Sequence, residues 1–302
     1  MIEKLKKEKQ FRQQKQDWYG YLLLLPAAVL MTALVFYPIL ITFSYSLQKM
    51  KLTAPDDTAF VGLENYRDVL NSADFHYALG NTLCLLILVV LLCMVCGLGL
   101  SSILNVRTRL QGFLTAIAIL PWALPPVVNG ILWKWIFYPG YGFLNKILIR
   151  LHFIDIPVQW LSQRWTLLAV VALVAAWRNI PFCTVVYISA MQAIPDSVIE
   201  AAAIDGAGPW QRFQRITFPL LLPASGVVLT STSISAVNVF DEIVSLAGYG
   251  DLGKTLLIQD YLTTFSFLDF GTGSALSYLI MILAGLLGLL YLKSIAREGE
   301  EV

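Results

Sequence analysis

The chain has 302 residues, 57% of them hydrophobic and 14% charged, with a formal net charge of +1 at pH 7 and a mean hydropathy of +0.69. Soluble domains carry about a quarter charged residues, so an ordinary soluble fold is excluded. A charge balance this close to zero gives no footing for nucleic acid as a partner.

Apolar runs near or above the roughly 20 residues that a helix needs to cross a bilayer recur along the chain. They lie at residues 19–47, 78–106, 113–138, 166–191, 218–240 and 274–292. The expected fold is all-α, a polytopic membrane protein with six transmembrane helices. The basic segment before the first run is long and the run itself exceeds a signal-peptide h-region, so it is expected to stay as a helix.

Lys and Arg set the orientation. With the N-terminus inside, the inner segments hold Lys4, Lys6, Lys7, Lys9, Arg12, Lys15, Arg107, Arg109, Arg212, Arg215, Lys293 and Arg297. The longer outer segments hold only Lys49, Lys51, Arg67, Lys146, Arg150, Arg164 and Lys254. The basic excess places both termini in the cytoplasm. This divides the chain into a cytoplasmic tail at 1–18, a six-helix domain at 19–292 and a cytoplasmic tail at 293–302. The Lys-rich start reads either as a topology anchor touching membrane lipid or as a solvated tail.

The outer loops at 48–77 and 139–165 are long enough for short helices, and GLENYRDVL at 62–70 reads as an amphipathic one. Cys84, Cys93, Cys96 and Cys183 fall inside apolar runs, where a thiol is a small buried residue. His76 and His152 have no ligand spacing, so no metal site is expected.

In the third run Pro121, Pro125 and Pro126 interrupt the helix beside Trp122, Asn129, Trp133 and Trp135. Solute sites in membranes are built from broken helices near mid-depth, although Trp133, Trp135 and Tyr138 also suit an interfacial belt. The fourth run carries Trp177-Arg178-Asn179-Ile180-Pro181-Phe182. An arginine there must face water or a partner, and Asp241 is the acid expected to pair with it, unless it meets a partner subunit.

Between Pro195 and Pro219 lies a segment of another kind. Ser197 and Glu200 have the spacing of a capping box, which predicts a helix from about Val198 through Ala201, Ala202 and Ala203 to a stop at Gly206. Its thin face suits insertion into a partner's groove, and a plain interfacial helix is the alternative. The fifth run is rich in hydroxyls and amides, with Thr230, Ser231, Thr232, Ser233, Ser235 and Asn238, which can serve as packing glue or line a path.

Gly248 to Thr255 satisfies G-x-x-x-x-G-K-[ST]. The charge bias puts it outside, too little chain follows for a sheet, and no strand ending in Asp follows to hold Mg²⁺. A turn between spans is the reading adopted.

The stretch EAAAIDGAGPWQRFQRITFPLLLP at 200–223 resembles the cytoplasmic loop of ATP-binding-cassette (ABC) importer permeases. FVGLENYRDVL at 60–70, LPWALPPVVNGILWKWIF at 120–137, YGFLN at 141–145 and MQAIPDSVIEAAAIDGA at 191–207 are similar to the maltose-transporter type of carbohydrate permease, carbohydrate uptake class 1. The resemblance implies the type I importer permease fold in the plasma membrane of a bacterium or archaeon, with a coupling loop at 194–219. Coupling to the ATPase would fall on Glu200, Ala201, Ala202, Asp205 and Gly206. The implied partners are a second related permease, two ATPase subunits and an extracytoplasmic sugar-binding protein. The chain itself would be no enzyme and hold no cofactor, ATP and Mg residing on the partner ATPase.

By the same resemblance, solute contacts fall at Trp122, Ile131, Asn179, Phe182, Thr232 and Ser235. Aromatic faces stack on the C–H faces of sugars and amides and hydroxyls bond their hydroxyls. Two departures stand out: Ala236 and Val239 replace expected amides, leaving Asn238 offset, and Asn179 replaces an expected Gly. The competing class is an autonomous secondary transporter or channel, which predicts inverted repeats and paired intramembrane charges.

Overall fold

The computed structural model describes residues 22–105 and 109–300, with side chains described as far as 289. The basic tail at 1–18, the start of the first run and Arg107 lie outside the described residues. Among the described residues the regular elements are helices, apart from one antiparallel pair of two-residue strands, β1 (Gln48–Lys49) and β2 (Ala59–Phe60).

Length and apolarity qualify four helices as spans: α1 (Leu22–Ser46), α3 (Ala73–Leu104), α7 (Arg164–Gln192) and the part of α13 (Phe270–Glu300) up to Leu289. Two bent pairs complete the six. Residues Gln111–Ala123 (α4) turn by 97° into Pro126–Phe137 (α5), and Pro209–Leu220 (α9) turn by 64° into Leu222–Val237 (α10). The chain is thus the all-α, multi-pass protein that the apolar runs imply, but the third and fifth crossings are broken rather than straight. Short helices α2 (Glu64–Asn71), α6 (Phe143–Arg150), α8 (Asp196–Ile204), α11 (Asp241–Ala247) and α12 (Leu256–Tyr261) fill the loops.

Prolines explain several local features. Pro38 and Pro219 have no N–H to give, and in both places the turn just ahead widens to π-helix. The Tyr37 N–H bonds Thr32 O and the Phe218 N–H bonds Phe213 O, each five residues back. At the third crossing Pro125 is extended (ψ 141°) and Pro126 begins α5, as the steric demand of one proline on its predecessor requires.

The described residues divide into two compact units, 22–69 with 263–278 and, in the second, 70–105, 109–262 and 279–300. In the first, Asn65 Nδ2 donates to Ser46 O and Gln48 O, and the Tyr278 hydroxyl donates to Ile39 O. The second carries the larger core. There α3, whose N-terminus is capped by Ser72 accepting from the Phe75 N–H, packs along α7. Small residues make the approach close: a Cβ on Gly97 would stand 2.6 Å from Cys183 Cβ. Leu85, Val89, Val171, Ala175 and Ala176 are buried along this seam.

Candidate functional site

The segment after α7 folds as the short helix α8, followed by the start of α9. Pro195 takes the N-cap position with ψ 134°, so α8 starts at Asp196. This corrects the expected start at Val198: with proline in the cap, Ser197 falls inside the first turn and no side-chain capping bond forms. A bond of that kind occurs at the next helix instead, where Gln211 Oε1 accepts from the Gly208 N–H at the start of α9.

The stop at Gly206 forms as expected. Gly206 has φ +81°, its N–H bonds Ala203 O at 3.1 Å, and the Ala207 N–H reaches back to Ala202 O at 2.9 Å. That paired 5→2 and 6→1 pattern is the Schellman motif, and it needs a left-handed residue at this position. Glu200, Ala201 and Asp205 are exposed and Ala202 half-buried. Ile204, the last residue of α8, is 87% exposed; beyond the stop Trp210 is 66% exposed, with its ring stacked on Phe213 at 5.6 Å. At the base of α8 a polar recess of about 550 Å³ is lined by Asn105, Gln111, Gln192, Asp196 and Thr217 among others.

The broken crossings place the solute candidates unequally. Trp122, in the tight last turn of α4, is 49% exposed and meets the Phe182 ring at 5.9 Å. Ile131 is exposed on α5. Asn179 is buried and donates to Ala175 O in its own helix, and Thr232 is buried and donates to Val228 O in its own. Ser235 is half-buried, and Asn238 is exposed at the end of α10 with its amide on Ile234 O. Asn129, fully buried, donates to Val174 O while its Oδ1 has no protein partner.

Arg178 bonds Glu242, not Asp241. Its Nε lies 3.1 Å from Glu242 Oε1, and the Glu242 side chain is 3% exposed. The cause is the break after α10: a new helix starts at Asp241, and its register buries Glu242 and leaves Asp241 at the rim. Hydropathy does not signal this choice between adjacent acids.

Residues 90–297 match the model of the binding-protein-dependent transport system inner membrane component. The chain belongs to that family. The trehalose/maltose transport system permease protein MalF of Thermococcus litoralis is 36% identical over 277 residues, covering 91% of this chain and 92% of its own. The sulfoquinovosyl glycerol transport system permease protein SmoG of Agrobacterium fabrum is 33% identical over 276 residues, covering 91% of this chain and 89% of its own. Among solved structures, a chain of a bacterial ABC transporter that imports the acidic polysaccharide alginate superposes with a TM-score of 0.80 at 21% identity, covering 96% of this chain and 99% of that one. Such a likeness carries the fold.

The Gly248 to Thr255 loop of this family member is not built to cradle phosphate. The residues before it form the helix α11 instead of a strand. Lys254 Nζ is held by Asp251 at 2.7 Å and Asp74 at 3.5 Å, and Asn81 Nδ2 donates to the Leu252 and Lys254 carbonyls. Thr255 caps α12 by accepting from the Ile258 N–H. Asn81 Oδ1 in turn accepts from Arg164 Nε, whose guanidinium lies 4.1 Å from the centre of the Tyr77 ring. This tie between the starts of α3 and α7 and the loop had no sequence signature, because its partners are separated by as many as 173 positions.

Proposed function

We propose that the chain is the permease subunit of an ATP-driven sugar importer, supplying half of the translocation path and taking up the ATPase stroke on α8. The observation that carries this reading is the exposed α8 helix, with Glu200 and Asp205 presented to solvent and a Schellman stop at Gly206, in a chain of a binding-protein-dependent transport family. The sugar class rests on relatives whose names specify trehalose/maltose and sulfoquinovosyl glycerol.

In this reading the protein works with a second related permease, two ATPase subunits and an extracytoplasmic binding protein. It hydrolyses nothing itself, and ATP and Mg stay on the ATPase. The N- and C-termini and the 194–219 loop face the cytoplasm of a bacterial or archaeal cell. Closure of the ATPases pulls the Glu200 to Gly206 helix, rocks the crossings and opens the region of Trp122, Asn179 and Ser235 to the binding protein. Trp122 with Phe182 supplies the ring surface, and Ser235 and Asn238 the more accessible polar groups.

Co-expression with candidate ATPase, partner permease and binding protein tests this. An assembled complex should hydrolyse ATP faster when the loaded binding protein is added and should accumulate a radiolabelled neutral sugar in proteoliposomes. Accumulation by the chain alone, without ATPase, would instead establish an autonomous transporter.

A further inference from the structure

Three aromatic rings meet where the fifth crossing ends. Phe240, the residue before α11, lies 6.2 Å from the Tyr249 ring and 5.3 Å from the Tyr261 ring, centre to centre. Tyr249 and Tyr261 are parallel to within 8° at 5.2 Å. Rings this far apart and this parallel are offset rather than a closed sandwich, and Phe240 is tilted by 57° against both, so the three rings form an angled aromatic wall.

The surface is open. Tyr249 is 42% and Tyr261 36% exposed, and Tyr249 sits between Gly248 and Gly250. A Cβ on Gly248, whose φ is +72°, would meet nothing within 4 Å. Glycine at both neighbours puts no side chain next to the ring.

The charges around the surface are uneven. Arg178 is held by Glu242 and Lys254 by Asp251 and Asp74. Asp241, next in sequence to Phe240 and half-exposed, has no such cation among the described residues. The paired cations leave a surplus carboxylate beside the rings, while the exposed Asn238 amide lies two residues before Phe240. Flat rings with phenol hydroxyls, a carboxylate and an amide form the group set that binds a saccharide, through its C–H faces and its hydroxyls. A lipid-facing or protein-core surface would not keep a free carboxylate at its edge.

We propose that Phe240, Tyr249 and Tyr261 form a saccharide-stacking platform, separate from the Trp122 and Phe182 pair, and that Asp241 biases it towards neutral over acidic sugars. The assignment rests on the sugar-importer reading.

Saturation-transfer NMR on the assembled complex in nanodiscs tests it directly, with maltotetraose as the neutral probe and a mannuronate tetramer as the acidic one. Wild type should show transfer from maltotetraose and little from mannuronate. Tyr249→Ala with Tyr261→Ala should cut the maltotetraose signal by about three- to ten-fold, the size of a lost aromatic contact, and Tyr249→Phe should keep most of it. Asp241→Asn should raise the mannuronate signal.

An unchanged maltotetraose signal in the double alanine variant overturns the platform, and an unchanged mannuronate signal in Asp241→Asn overturns the selectivity. Loss of the partner permease from the double variant during purification overturns it too, because the rings would then be a subunit interface. No transfer to wild type also contradicts the proposal. ATP-dependent uptake of a neutral sugar by that same preparation then tells whether the importer reading falls with it or stands alone.

Discussion

Arg178 Nε on α7 and Glu242 Oε1 on α11 stand 3.1 Å apart, joining the fourth crossing to the helix that follows the fifth. With Glu242 almost wholly buried, removing one partner strands the other's charge. Arg178→Ala or Glu242→Ala should each lower stability by about 3–5 kcal/mol, and Arg178→Met with Glu242→Leu together should cost much less than the sum. Thermal unfolding in detergent, run as a double-mutant cycle, gives the coupling. Additive losses would show that the pair does not act as one.

The α3 and α7 seam has no room at Gly97. An added methyl would meet Cys183 Cβ at 2.6 Å, and neither belongs to a flexible chain end that could swing aside. Gly97→Ala should therefore destabilise by about 1–3 kcal/mol, and Cys183→Gly in the same chain should recover part of that. Thermal midpoints of the single and double variants report it.

Much of this architecture is legible in the residues. Apolar length locates the crossings, Pro121, Pro125 and Pro126 mark the break in the third, and Gly206 marks the stop of α8. The missed features depend on geometry that local pattern does not encode. Pro195 occupies the cap that the Ser197 and Glu200 spacing had suggested, and the break before Asp241 decides which of two adjacent acids is buried. Thr232 and Asn179 each donate one hydrogen bond to the carbonyl four residues back in their own helix, a local bond these residue types permit and that leaves their acceptor oxygens uncommitted by it. The Tyr249 and Tyr261 stack was invisible because twelve positions separate the rings and only the fold of the loop brings them together.

Gly206 holds φ +81° with open space around it, so a substitution there is penalised by backbone alone. Gly206→Val should cost about 1–2 kcal/mol locally and disrupt the end of α8, reducing uptake while the complex still assembles. Gly206→Asn, which tolerates the left-handed region, should retain most uptake. Equal uptake by both variants would show that the stop is dispensable.

Hydrogen bonding to Lys254 holds the Asp251 carboxyl below its ordinary value, and hydrogen bonding to Asp251 holds the Lys254 amine above its own. The Asp251 contribution is present above the ordinary carboxylate range and is lost as pH falls through its lowered pKa. That of Lys254 is present below the ordinary lysine range and is lost as pH rises through its raised pKa. The loop should therefore stay ordered from mildly acidic to mildly alkaline pH and loosen at either extreme, which a spin label at Gly250→Cys can follow. A small effect is expected because Asp251 is exposed. Lys254→Met should leave trinitrophenyl-ATP binding to the isolated chain undetectable, as in wild type. Labelling that ATP competes for and Lys254→Met abolishes would restore the P-loop reading.

Under the proposed function, ATP energy enters this chain through α8. The direct measurement is ATP hydrolysis and sugar uptake by the reconstituted complex carrying Glu200→Ala, with loaded binding protein added. The account predicts that the variant complex co-purifies intact and keeps its basal hydrolysis, but loses stimulation and falls at least about ten-fold in uptake, the factor set by about 1.4 kcal/mol of lost coupling. Wild-type stimulation and uptake in the Glu200→Ala complex would contradict it.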